Sequence, residues 1–338
     1  MIVRLLALSL FLLPLEAQQA APGTRIDYDI AIPALNDPAT RIPVSVFEGV
    51  KPGPSLLLTC GVHGFEFVPI LAAQRLLNEI DPKKLSGRVV LVRLAHVPAF
   101  ERRSIFYNPY DGKNLNRVFL GSATGTQSER IAFALTQLID QSSIHIDLHG
   151  GDGTETLDNF VGTYGGKLAE RQFETSLAMA RAFGLPRMVD YRYDELTRPY
   201  SCNRQAVATG KPTILVEIGQ QGRSDASDVD LAVRGVLNVL KSQKMLLGNP
   251  APAKPAQRFS GTAGLNFSKS GIWYPNVKTG AAVRKGDTLG TVKDLLGGEL
   301  EKLIAPEDGI VLYMSAAPPA NSGEAAITIA RPQQAQKK

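Results

Sequence analysis

The sequence predicts an α/β fold: a mixed, mainly parallel sheet flanked by helices, followed by a small C-terminal all-β unit resembling a barrel. Three observations predict it. Residues 54–60, 87–95 and 212–219 are apolar runs of strand length with little alternation, as expected where a sheet is buried on both faces. Segments with helical periodicity, at 66–80, 127–141, 168–183 and 225–247, are interleaved with such runs. That interleaving marks helices crossing over a sheet. Beyond residue 256 the helical period stops, and turn signals recur about every ten residues with short β runs between them.

The elements follow in order. Residues 1–20 read as a secretory signal. Arg4 gives a positive start, 5–15 an apolar stretch too short to span a bilayer, and Ala17 to Ala21 small residues for cleavage. No Cys lies near the cleavage region, which argues against a lipid-anchored lipoprotein. Export, to a bacterial periplasm, is the expectation. Residues 25–32 and 43–49 alternate apolar and polar positions and read as edge strands. The strand at 54–60 leads into the helix at 66–80, and 87–95 is the next buried strand. Residues 101–126 form a long Gly-, Asn- and Pro-rich loop. Loops of that length tend to be functional, a surface excursion being the plainer alternative. The helix at 127–141 leads to a strand at 143–150. A strand at 160–164, the helix at 168–183 and a strand at 187–191 continue the pattern. The strand at 212–219 and the helix at 225–247 complete a first domain, residues 21–248. Residues 249–256 are a Pro-rich linker, 257–331 the β unit, and 332–338 a frayed polar tail.

The chemistry concentrates where strands end. In Cys60-Gly61-Val62-His63-Gly64-Phe65-Glu66, a His and a Glu sit three apart between a strand and a helix. That places them at the carboxyl end of a strand, where open α/β sheets carry their sites. Such a pair suits a divalent zinc, imidazole being a borderline-soft ligand. His149 ends the 143–150 strand beside Gly150 and Gly151 and is the natural third ligand. Glu217 lies near the end of the 212–219 strand, where a carboxylate is costly unless it faces a cavity or a partner. Three protein ligands with a nearby free carboxylate form the catalytic zinc pattern. Singly, each residue has a plainer reading: a satisfied strand-end His, or a Glu paired with an Arg. The chain has only four His, and two of them stand at glycine-flanked strand ends. Asp147, two residues before His149, is expected on the opposite strand face, as support for a ligand or, preferably, in a structural ion pair.

Between the two His motifs runs Asp111-Gly112-Lys113-Asn114-Leu115-Asn116-Arg117-Val118-Phe119. With residues 61–66, 147–150 and 216–219, the chain resembles the succinylglutamate desuccinylase/aspartoacylase family, within the wider M14 zinc carboxypeptidase-like fold. The resemblance implies His63, Glu66 and His149 as ligands of one Zn2+, and Glu217 as the carboxylate that activates water. It implies Asn116 and Arg117 as the grip on a substrate carboxylate, which Arg meets bidentately. It also implies an upstream Arg that polarises the scissile carbonyl. Phe106 stands near that place, and Arg103 is the best substitute, ahead of Arg102.

Composition sets bounds. The chain has 338 residues, 44% apolar and 20% charged, enough for a large core. The net charge of +5 is spread without a basic block, so nucleic acid is not an expected partner. No stretch beyond the leader approaches a membrane span. Cys60 and Cys202 are expected as free buried thiols. In the β unit, residues 283–290 and 304–311 resemble a biotinyl/lipoyl barrel, but 292–295 lacks a carrier dipeptide around Lys293. The resemblance implies that this unit packs beside the cleft and narrows its entry. Tyr191, Arg192, Tyr193, Arg198, Tyr200 and Arg204 form an aromatic and basic cluster that lines a pocket or merely packs.

The expected activity is zinc-dependent deacylation of an N-acyl amino acid or another small carboxylate-bearing amide, with Glu217 as general base. Carboxypeptidase action on short or cell-wall peptides is the rival within enzymes. A non-catalytic periplasmic binding protein with a decayed site is the rival outside them. The sequence leaves the oligomeric state open.

Overall fold

The structure is a computed structural model that describes residues 19–195 and 200–333. Most of the expected leader, Arg198 and residues 334–338 of the expected tail lie outside the described residues. Among those described, no helix is long and apolar enough to cross a membrane.

Strands β1 (Thr24–Ile32) and β2 (Thr40–Glu48) form an antiparallel hairpin. β1 is the edge, but β2 is interior, paired on its other side with β4 (Ser86–Val92). The expectation of an edge at 43–49 rested on polar residues such as Ser45. That side chain is buried and donates to Asp27 Oδ1 at 2.6 Å, so its polarity is answered by a neighbouring strand rather than by water. Strand β3 (Lys51–Cys60) lies parallel to β4, and helix α1 (Phe67–Glu79) joins them. A short helix α2 (Val97–Arg102) follows β4 and precedes the long loop.

Helix α3 (Gln127–Asp140) begins where the Glu129 side chain turns back to accept from Thr126 N at 2.9 Å, satisfying one otherwise free N-terminal donor. Strand β5 (Ile144–His149) lies parallel between β3 and the later β9. Next come β6 (Glu155–Leu157), β7 (Phe160–Gly165), α4 (Glu170–Phe183) and β8 (Arg187–Arg192). The one-turn-plus helix α5 (Cys202–Ala208) leads into β9 (Thr213–Glu217), and α6 (Ala226–Ser242) closes the series. Periodicity did not foresee α2, α5 or β6, which are too short to show a period.

The sheet runs β1-β2-β4-β3-β5-β9-β7-β8. Alternation along the strands divides the core in two. Leu56, Leu58, Ile146, Leu148 and Val216 face α1, α4 and α6. Leu57, Val90 and Val92 face α3 and α5, packing on Ile131, Leu135 and Ala206. Both faces are buried, so any polar side chain on the central strands requires a partner.

The sheet does not end at β8. After residues 249–256, β10 (Gln257–Asn266) pairs parallel with β8. Strands β11 (Gly271–Pro275), β12 (Ala282–Val283), β13 (Thr288–Lys293) and β14 (Glu299–Ile304) follow. The last are β15 (Gly309–Ser315), β16 (Pro319–Ala320) and β17 (Ala325–Pro332). β17, β15 and β12 extend the main sheet beyond β10, while β14-β13-β11-β16 make a separate antiparallel sheet. Between them lies a small core of Phe267, Trp273, Leu289 and Ile327. Trp273 Nε1 donates to Ser315 O at 3.2 Å, giving the buried indole its partner. Lys293 ends β13 with its ammonium 5.2 Å from the centre of the Tyr274 ring.

Candidate metal centre

The chain between β3 and α1 turns through Gly61, at φ 66°, and Gly64. A Cβ on Gly64 would stand 2.1 Å from Phe100 N, so only glycine lets α2 approach this turn. Glu66 occupies the N-cap position of α1 but makes no cap bond. Its carboxylate is turned inward instead. His63 Nδ1 lies 2.6 Å from Glu66 Oε1, and His149 Nδ1 lies 3.0 Å from Glu66 Oε2. Gly150 N donates to Glu66 Oε2 at 3.2 Å. His63, Glu66 and His149 are all buried and offer ligand atoms within 4.8 Å of one another.

The residues present fit a divalent metal. Two imidazoles and one carboxylate make a catalytic zinc donor set. Each His presents Nδ1 to the shared carboxylate while its Nε2 faces an oxygen: Asn114 Oδ1 at 3.1 Å for His63, and Asp147 Oδ2 at 3.2 Å for His149. The second contact is close but imperfectly aligned. Oxygen acceptors at Nε2 favour the proton there and leave Nδ1 free to bind a metal. Without the metal the three groups share charge among themselves. Burial pushes the Glu66 carboxyl up, but His63 and His149 together hold it down to about 2. Burial opposes charge on His149 as well, yet Asp147 and Glu66 raise it well above its ordinary range.

Glu217 pairs with His149 across the β5–β9 ladder, so the two side chains emerge side by side at the strands' carboxyl ends. It keeps part of its surface open. Burial pushes its carboxyl up to about 8 against the pull of His149, and Glu66, Asp147 and Asp152 push the same way as burial.

The long loop is anchored rather than loose. Asn108 Nδ2 donates to Gln127 Oε1 at 2.8 Å, and Asp111 Oδ2 accepts from Ser128 N at 2.7 Å. Asn116 Oδ1 accepts from Cys202 N at 2.8 Å. These bonds tie the loop to the starts of α3 and α5 and hold Asn114 beside His63. Arg117 is solvent-accessible, yet desolvation and the nearby Arg204 cation lower its pKa, while Glu155, Tyr107 and Glu217 oppose that. Two guanidinium groups thus share the region next to Glu217.

One expectation is corrected. Asp147 is on the same strand face as His149, because strand side chains alternate with period two and residues two apart share a face. Arg103, expected as the substitute carbonyl-polarising Arg, closes α2 in the left-handed region at φ 53° with an exposed side chain. Phe106 reaches the triad instead, its ring edge-on to His63 with centroids 5.7 Å apart. Cys60 and Cys202 are buried free thiols on opposite faces of the sheet. Of the aromatic cluster, Tyr191 stacks on Tyr164, Tyr193 is buried, Arg192 pairs with Asp194, and Tyr200 is exposed.

The sequence marks Asn114 only as part of its motif, with no role, and gives no mark to Asp152, Glu155 or Tyr313. Asp152 is fully buried near Glu66 and His63, with Oδ2 unpartnered among the described residues. Glu155 and Tyr313 are hydrogen-bonded where β6 pairs with β15, which sets the C-terminal strands beside the site. Asn114 was legible, two residues before Asn116. The others had no local signal, since their neighbours come from distant strands.

Residues 52–243 match the succinylglutamate desuccinylase/aspartoacylase catalytic domain. The chain belongs to that family. Family members hydrolyse linear amide bonds, and this chain is an enzyme of that class. It is similar to the N-alpha-acetyl-L-2,4-diaminobutyric acid deacetylase of Halomonas elongata, 29% identical across 89% of this chain and 90% of that enzyme. It is also similar to the succinylglutamate desuccinylase of Pseudomonas fluorescens, 29% identical, with 43% of this chain and 47% of that enzyme covered. A solved family member from Rhodobacter sphaeroides superposes with a TM-score of 0.81 at 25% identity, covering 94% of this chain and 99% of that one. The product-bound ectoine utilization protein EutE (DoeB) of Ruegeria pomeroyi shares the fold, with a TM-score of 0.80 at 23% identity, covering 91% and 95%.

Proposed function

We propose that the protein is an exported, zinc-dependent deacylase that hydrolyses the amide of a small N-acyl amino acid. The observation that carries this is the meeting of His63, Glu66 and His149 beside Glu217, with Arg117 facing the same region. His63, Glu66 and His149 would hold the zinc, which when bound supplies a Lewis acid that polarises a carbonyl and acidifies water. Glu217 accepts a proton from the attacking water and delivers it to the leaving nitrogen. Arg117 grips the substrate carboxylate through its planar fork, and the Arg204 charge strengthens the local positive field. Asn116 has one oxygen committed to Cys202 N, so only its amide nitrogen is offered to a substrate.

The test is hydrolysis by the zinc-loaded protein of N-acetyl and N-succinyl amino acids, beginning with N-alpha-acetyl-2,4-diaminobutyrate, against peptides with free C-termini. The deacylase reading expects turnover of an acyl amino acid that stops on chelation and returns with zinc. Peptide trimming alone would transfer the site to the carboxypeptidase rival. Zinc-loaded protein inert toward both classes would refute the proposal. Export is tested separately, by fractionating cells and sequencing the mature N-terminus.

A further inference from the structure

Beneath His149 lies a buried polar network that the proposed reaction does not use. β5 carries His145, Asp147 and His149 on one face, and the parallel neighbour β3 sets Thr59 opposite Asp147. Thr59, His145, Asp147 and Cys202 have no solvent exposure. Thr59 Oγ1 stands 2.5 Å from Asp147 Oδ1, 3.1 Å from His145 Nε2 and 3.9 Å from Cys202 Sγ. Its contact with Ile146 O is longer, at 3.5 Å.

Donor and acceptor roles follow from the chemistry of each group. An ionised carboxylate only accepts, so the Thr59 proton points at Asp147. The Thr59 oxygen is then an acceptor, and His145 must carry its proton on Nε2. His145 Nδ1 is left bare, in agreement with its having no partner among the described residues. Asp147 Oδ2 faces His149 Nε2 at 3.2 Å, an ion-pair contact that falls short of hydrogen-bond alignment.

His145, Asp147 and Cys202 also satisfy the geometry of a second metal cluster. The contacts argue against that reading. One Asp147 oxygen is taken by Thr59 and the other faces His149, while His145 Nε2 is already engaged. Nor is burial the purpose of these residues. Valine at 59 or an apolar side chain at 145 would fill the dry face without the cost of burying polar atoms.

We propose that Thr59 and His145 are positioning residues: they fix Asp147 so that its free oxygen faces His149 Nε2, holding a proton on that nitrogen and leaving Nδ1 as the one turned to the metal position. This rests on the zinc reading of His63, Glu66 and His149, and it concerns how firmly that site holds its metal.

The test measures zinc affinity of the full chain by chelator competition, with zinc per chain and thermal unfolding recorded alongside. Thr59→Val is expected to bind zinc about tenfold more weakly or worse, the usual loss when a group supporting a ligand is removed. Thr59→Ser, which keeps the hydroxyl, is expected to stay near the native value. His145→Met and His145→Gln form a second pair, since Gln can present an amide N–H where Nε2 stands. That pair decides if Thr59→Val does not fold. Native affinity in both Thr59→Val and His145→Met overturns the relay, as does equal weakening in Thr59→Val and Thr59→Ser. A second zinc per chain that disappears in Cys202→Ser overturns it in favour of the metal cluster. Native protein that takes up no zinc refutes the functional reading itself, a failure distinct from native protein and variants binding zinc equally.

Discussion

Replacing Glu217 by Gln removes one charge and preserves the shape of the site. General-base catalysis contributes about 10²–10⁴-fold, so kcat/KM should fall by that factor, or about 3–5 kcal/mol of barrier. Zinc content should not change, because Glu217 lies outside the triad. A second effect has the opposite sign. In the metal-free protein the Glu217 carboxyl is pushed up to about 8. The folded chain therefore holds a proton that the unfolded chain releases above about pH 4.3. Stability contributed by that proton is complete below this value and declines as pH rises through 8. At pH 7 the full shift corresponds to about 3 kcal/mol, and partial opening to solvent reduces it to about 1–2 kcal/mol. Metal-free Glu217→Gln should thus resist urea better than the native chain at pH 7, with the two converging near pH 4. Zinc-loaded Glu217→Gln with activity within tenfold of native would refute the base assignment. Coinciding urea curves at pH 7 would refute the electrostatic one.

Four further predictions concern the surrounding groups. Arg117→Met should raise KM about 10–100-fold with a smaller effect on kcat, as loss of a charge-assisted grip worth about 1.5–3 kcal/mol requires, and Arg117→Lys should recover only part of it in steady-state assays. Zinc uptake at pH 7 should release about one proton or more, because Asp147 and Glu66 keep His149 protonated in the metal-free chain; calorimetry in buffers of different ionisation enthalpy reads this, and apparent affinity should rise with pH across the neutral range. Asn114→Ala removes the oxygen facing His63 Nε2 and should weaken zinc binding about 10–100-fold by chelator competition. Arg103→Ala, at an exposed helix end, should leave kcat/KM within about twofold and the melting temperature unchanged.

The candidate metal ligands His63 and His149 stand out in the sequence because each sits beside a glycine where a strand ends, and Glu66 because it follows His63 by three residues at the start of a helix. The central sheet was legible for a similar reason: β3, β4 and β9 each contain an unbroken apolar run. What was missed depends on contacts between distant segments. Ser45 looked outward until β1 supplied Asp27 as its acceptor. Arg103 and Phe106 are close in sequence, yet left-handed backbone at both sends one to solvent and the other to His63. Asp147 is a different kind of error, since strand alternation alone places it on the face of His149. Glu155 and Tyr313 could be joined only by knowing that β6 pairs with β15.

The parallel seam between β8 and β10 has a consequence for how far the C-terminal strands can move. A C-terminal unit tethered only by a proline-rich string could swing aside, admitting long chains and then closing on short ones. Here its first strand is stitched into the same sheet that carries Glu217, and β15 is stitched to β6 a few residues beyond His149. The C-terminal strands on that side are therefore fixed to the catalytic sheet rather than hung from a hinge.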